Sequence, residues 1–170
     1  MKIKLVLILL LWAIIFFITG LSVSARADNW NCSNTITKVL IKKSNKKMYL
    51  LNSCGNTIKE YTIRIGIDGK KQCEGDKKTP EGTYHIIDKY GSKYVRFLAL
   101  DYPNKQDRKN AKELGCNPGN GIGIHYYNEE YTNDKSTLEH SLGCITVWSK
   151  KEILEIFKIV KVGTKVEIKE

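Results

Sequence analysis

The chain has 170 residues, with 28 Lys and Arg against 18 Asp and Glu and a formal charge of +10. Without its N-terminal leader, that length holds one domain with a real core but not two. The positive charge suits an anionic polymer or membrane surface by long-range attraction, or simply marks a lysine-rich surface; lysines scattered through strand-like segments, rather than clustered on one helix, exclude nucleic acid as a partner.

In chain order, Lys2 and Lys4 precede an uncharged run from Leu5 to Gly20, and Ser24-Ala25-Arg26-Ala27 follows. A charged start, an apolar stretch and an Ala-x-Ala site make residues 1–27 a secretory signal peptide. The apolar run also lies near the lower limit of about 17 residues for crossing a bilayer, which leaves an uncleaved inner-membrane anchor over residues 5–20 as the second reading. Either way the remainder is exported, to the periplasm or cell-wall space, and membrane contact is confined to the N-terminal segment. Asp28-Asn29-Trp30-Asn31 before Cys32 lacks the small apolar residues of a lipid-attachment site, so no lipid anchor is expected.

Five cysteines, Cys32, Cys54, Cys73, Cys116 and Cys144, allow two disulfides and one remaining thiol in an oxidising compartment. The first four have three possible pairings, and the sequence does not choose among them. No two have the close spacing of a zinc site, so neither a metal nor another cofactor is expected.

β-Branched and aromatic residues predict strands over Val39–Lys43, Lys47–Leu51, Lys59–Ile65, Gly82–Ile87 and Val95–Leu100. Asn52-Ser53-Cys54-Gly55-Asn56 reads as the turn of a hairpin. Lys105–Leu114 reads as a short polar helix. After Cys144, Ser149 caps a segment with Ile153, Ile156, Phe157 and Val160 on one face, which predicts an amphipathic helix. Lys165–Lys169 alternates strictly and predicts a final strand. The fold class is thus mainly β, one domain with one or two short helices, one of them after Cys144.

The chemistry lies between them. Gly121-Ile122-Gly123-Ile124-His125 puts a histidine at the end of an apolar strand, and Ser141-Leu142-Gly143-Cys144-Ile145 follows after a polar loop. Cysteine attack needs the thiolate, and a nearby imidazole can take the proton or, as an imidazolium, lower the thiol pKa from about 8.5. Gly143 lets the backbone N–H groups of residues 143 and 144 approach a developing oxyanion. On spacing alone the pair is also readable as a structural thiol beside a satisfied histidine.

A resemblance separates these readings. His125 followed by Ser141-Leu142-Gly143-Cys144-Ile145 resembles the signature of the L,D-transpeptidase (YkuD-like) catalytic domain family. Gly75-Asp76-Lys77-Lys78-Thr79-Pro80-Glu81-Gly82-Thr83-Tyr84 is similar to a long turn motif of that family, and Val162-Gly163-Thr164-Lys165-Val166-Glu167-Ile168 to its closing strand. Leu100-Asp101-Tyr102-Pro103-Asn104 with Asp107-Arg108 resembles the branch that contains peptidoglycan-lipoprotein amidases. The resemblance covers residues 37–168, which makes them one catalytic domain, and implies a β-sandwich or barrel fold. It implies a cysteine acyltransferase that cross-links or remodels peptidoglycan through a Cys144 thioester on stem peptides, with a wall-linked lipoprotein as a further partner. With water as acceptor, the same site is an L,D-carboxypeptidase or amidase; a non-catalytic wall-binding module is the third reading. The implied roles are Cys144 as nucleophile, His125 as general base, the Tyr126 backbone carbonyl as its orienting group, Gly143 as an oxyanion donor, and Ser141 with Gly143 as residues that shape the cysteine loop; beside these, Ser141 and His140 are read as substrate contacts. Tyr126, Leu142 and Thr146 depart from residues common in the family and leave substrate preference open. His140 is the alternative base. His85 lies in an alternating strand and reads as a sheet-surface residue. Thr79-Pro80-Glu81-Gly82 reads as a structural turn.

Overall fold

The structure, a computed structural model, describes residues 32–127 and 139–170. The expected signal or anchor segment lies outside the described residues. Among the described residues, no helix is long and apolar enough to cross a membrane.

Eight strands close into a barrel in the order Lys38–Lys42, Lys47–Leu51, Thr57–Arg64, Ile145–Val147, Gly123–Tyr126, Val95–Leu100, Gly82–Ser92, Lys165–Lys169. β1 (Lys38–Lys42), β2 (Lys47–Leu51) and β3 (Thr57–Arg64) form an antiparallel meander. Alternation decides their faces: Val39, Ile41, Met48 and Leu50 point into the core, with the intervening side chains less buried. The Asn52 side-chain oxygen accepts from the backbone N–H groups of Cys54 and Asn56 at 3.1 and 2.9 Å, which fixes the β2–β3 turn.

β4 (Gly82–Ser92) and β5 (Val95–Leu100) form a hairpin that runs five residues beyond the predicted Gly82–Ile87, because Asp88–Ser92 continue to pair with Val95–Ala99. α1 (Lys105–Glu113) starts at Asn104 and α2 (Lys150–Ile159) at Ser149. Each has a capping box, closed by Asp107 and Glu152 respectively. Ile153, Ile156 and Val160 are fully buried, and α2 packs against β5 and β6. β8 (Lys165–Lys169) lies between β1, to which it is parallel, and β4.

The barrel positions the site through β6 (Gly123–Tyr126) and β7 (Ile145–Val147), which are parallel, with Ile124 opposite Ile145 and His125 opposite Thr146. Continuing that register one residue back sets Cys144 beside Gly123. Gly123 and His125 share a face of β6, so the thiol and the imidazole emerge on the same side of the sheet. The disulfides are Cys32–Cys54 and Cys73–Cys116, leaving Cys144 free.

Candidate active site

A pocket of about 180 Å³ is lined by both His125 and Cys144, with Arg64, Tyr94, Phe97, Tyr127 and Leu142 around them. His125 Nδ1 lies 2.8 Å from the backbone oxygen of Tyr126. A carbonyl only accepts, so Nδ1 carries the proton and Nε2 is left as the basic nitrogen. The imidazole packs against Tyr94, with ring centroids 4.2 Å apart, and Phe97, at 5.5 Å. Gly123 makes room for this packing: a Cβ there would lie 2.3 Å from the Phe97 ring.

Tyr94 reaches the histidine from the tip of the β4–β5 hairpin. The next residue, Val95, has φ +71°, a costly conformation for a β-branched side chain. Strain of this kind, held by surrounding structure, clusters at functional sites.

The cysteine loop is held by its own hydrogen bonds. Ser141 Oγ donates to the Cys144 carbonyl at 2.5 Å and accepts from the Gly143 N–H at 3.1 Å. The Ser141 hydroxyl is therefore engaged within the loop it was expected to shape, rather than turned to a substrate. The Gly143 N–H expected to serve an oxyanion already has Ser141 as partner, which leaves the Cys144 N–H as the donor to propose. Thr79, fully buried, accepts from the Gly66 N–H at 2.8 Å and donates to the Gly143 carbonyl at 3.0 Å. Gly143 has φ +122°, and a Cβ there would sit 2.8 Å from the Lys78 oxygen. Glu81, from the same turn, is held by the buried Lys43, whose Nζ is 2.5 Å from Oε1.

Electrostatics depart from the expected ion pair. Burial pushes the His125 imidazole down to about 4, with the Arg64 guanidinium adding to the effect and the Tyr126 carbonyl opposing it. Burial pushes the half-buried Cys144 thiol up to about 11, against a Gly123 backbone hydrogen bond and the charge of Lys71. Cys144 Sγ donates to the Gly121 carbonyl at 3.5 Å. Burial therefore disfavours both the thiolate and the imidazolium, which at neutral pH favours a thiol beside a neutral imidazole.

His140 is not among the residues lining this pocket. His85 lies on the exposed sheet surface beside Asp101. Among the described residues, no group of three His, Cys, Asp or Glu could hold a metal ion. Sequence reading missed Arg64, Tyr94, Phe97 and the link from Thr79 to the cysteine loop. A guanidinium between Ile63 and Ile65 was a visible signal for the first; the aromatic packing had none, since β5 and β6 meet only in the folded barrel.

Residues 36–168 match the sequence model of the YkuD family, described as the L,D-transpeptidase catalytic domain. A comparison with curated proteins returned no match. Among solved structures, the helical cell shape determining protein Pgp2 from Campylobacter jejuni is 28% identical with a TM-score of 0.64, covering 79% of this chain and 48% of that one. A point mutant of Pgp2 gives 26%, a TM-score of 0.65 and coverages of 82% and 48%. A cysteine-to-serine mutant of the Enterococcus faecium L,D-transpeptidase shares the fold at 19% identity and a TM-score of 0.53, covering 79% of this chain and 50% of that one. The chain spans about half the length of each of these structures.

Proposed function

The chain belongs to the L,D-transpeptidase catalytic domain (YkuD) family, and from that premise we propose that it is an exported cysteine acyltransferase acting on the stem peptides of peptidoglycan. The observation that carries this reading is the single pocket onto which Cys144 and His125 both open, with the imidazole held by the Tyr126 carbonyl.

Substrate binding brings a stem-peptide amide carbonyl to Sγ. His125 Nε2 takes the thiol proton as Sγ attacks, so the thiolate exists only as the new bond forms. The carbonyl electron pair moves onto oxygen, where the Cys144 N–H stabilises it; one such donor is worth on the order of 3 kcal/mol. Collapse breaks the C–N bond, and the imidazolium returns its proton to the departing amine. An acceptor amine then loses a proton to His125 as it attacks the thioester, and the proton returns to sulfur as the thiol leaves. The product is a cross-link, or an attachment to a wall-linked lipoprotein.

Water in place of the acceptor amine gives an L,D-carboxypeptidase or amidase. The stretch Leu100–Asn104 with Asp107 and Arg108, similar to the amidase-containing branch, favours this second reading. Purified protein incubated with a disaccharide-tetrapeptide and followed by mass spectrometry separates them. A cross-linked dimer with the released amino acid supports acyl transfer, and a disaccharide-tripeptide with the released amino acid supports hydrolysis. Unchanged substrate under conditions that keep Cys144 reduced refutes both. It would favour a non-catalytic wall-binding module, which should hold peptidoglycan equally well as Cys144→Ala.

A further inference from the structure

A large aromatic side chain at the edge of the pocket is turned to solvent. Trp148 is 50% exposed, although Ile145, Thr146 and Val147 just before it on β7 are buried. Its backbone N–H donates to Glu152 Oε2 at 3.2 Å, beside the capping box that starts α2, so the residue is fixed at the junction of strand and helix. Its ring meets Tyr127 edge to face, with centroids 6.2 Å apart, and lies with its centroid 5.5 Å from the Arg64 guanidinium carbon. Tyr127 and Arg64 both line the pocket that holds His125 and Cys144. Trp148 therefore stands at the rim of that pocket, at the end reached by following β7 from Cys144 through Thr146.

A single exposed apolar residue is ordinary on a protein surface. What sets Trp148 apart is its place relative to the nucleophile. A strand rises about 3.3 Å per residue, so four residues put Trp148 about 13 Å from Cys144, and alternation puts Cys144, Thr146 and Trp148 on one side of β7. In acyl transfer from a tetrapeptide the departing amino acid spans one residue, about 3.5 Å, and falls short of that ring. The acyl side runs three residues, about 10 Å when extended, from the attacked carbonyl to the first nitrogen of the stem, and the lactyl link beyond it carries the muramyl sugar. The sugar is thus the part of the substrate whose distance from the reacting carbon matches the distance of Trp148 from Cys144. A pyranose presents a face of C–H groups, which the negative face of an indole attracts while its apolar area is covered.

We propose that Trp148 is a stacking platform for the muramyl saccharide of the donor substrate, so that the protein takes stem peptides attached to glycan in preference to free ones. This rests on the acyl-transfer reading of the site. Contact with the sugar fixes the far end of the stem and helps hold the third-residue carbonyl at Cys144; a free peptide has the same reacting atoms without that anchor.

The test compares a disaccharide-tetrapeptide with the same tetrapeptide lacking the sugars. Calorimetric titration of full-length Cys144→Ala should show the disaccharide form binding roughly 5- to 50-fold tighter, the upper figure corresponding to about 90 Å² of apolar ring taken out of water. Adding Trp148→Ala should remove that advantage by weakening the disaccharide form alone. Equal affinity for the two ligands, an advantage that survives Trp148→Ala, or an equal loss for both overturns the proposal. If the Ala variant does not fold by circular dichroism, Trp148→Leu, which keeps apolar bulk without a flat ring, takes its place, and an unchanged advantage there overturns the proposal. Wild-type turnover of the disaccharide-tetrapeptide, read as release of the terminal amino acid, tests the underlying reading separately. Turnover without a sugar advantage sinks the Trp148 assignment alone; a sugar advantage that depends on Trp148 but comes without turnover sinks acyl transfer alone; no binding of either ligand sinks both.

Discussion

Raising the pH and following alkylation of Cys144 by iodoacetamide tests whether the thiol and imidazole rest as neutral partners. With the thiol pushed up to about 11, roughly one molecule in 10⁴ carries a thiolate at pH 7, against about three in a hundred for a free cysteine near 8.5. The more basic thiolate is also the better nucleophile, with a Brønsted slope of about 0.4–0.5, which returns roughly 10- to 20-fold. Cys144 should therefore react roughly 15- to 30-fold more slowly than glutathione at pH 7, and its rate should climb about tenfold per pH unit from 6 to 10. The activity profile should run the other way. His125 is already neutral above about pH 5, since burial lowers it to about 4, so kcat/KM should stay level from about pH 5 to 9 and fall only outside that range. Stopped-flow alkylation and initial-rate measurements read both. An alkylation rate that is flat above pH 6 and faster than that of glutathione would mean a preformed thiolate–imidazolium pair, and the desolvation argument would be wrong.

His125→Ala should reduce turnover by about 10² to 10⁴, whereas His140→Ala, outside the pocket, should cost far less; the reverse order in purified protein would overturn the assignment of the base. Gly143→Ala forces a Cβ to 2.8 Å from the Lys78 oxygen at φ +122°, so turnover should drop about 10²-fold through displacement of the nucleophile and stability by about 1–3 kcal/mol; wild-type kinetics and melting would show that the loop is not held as described. Unfolding in guanidinium without reductant should expose one thiol to alkylation, on Cys144. Reduction should destabilise the protein by about 3 kcal/mol for the Cys32–Cys54 loop and about 4 kcal/mol for Cys73–Cys116, read from denaturant midpoints.

What the sequence determined by itself was local or chemical. Strict alternation made Lys165–Lys169 a strand, Ser149 and Glu152 began α2, and runs of aliphatic and aromatic residues marked β2 and β5, because each depends on neighbours a few positions away. The family resemblance carried by His125 and Ser141-Leu142-Gly143-Cys144 pointed to the proposed reacting groups. It did not give their protonation, since the field at each sulfur and nitrogen comes from residues far along the chain. Tyr94 and Phe97 arrive from the β4–β5 hairpin, and Arg64 comes from a strand that pairs with β7 more than 80 residues later. The sequence also left the disulfide pairing open among three choices, and only the closure of two distant loops selected one. The hydrogen-bonding of Ser141 and Gly143 was hidden for the same reason: the Lys78 oxygen leaves no room for a Cβ at Gly143, and Thr79 holds its carbonyl. Burial and desolvation are properties of a closed barrel, and no window of neighbouring residues contains them.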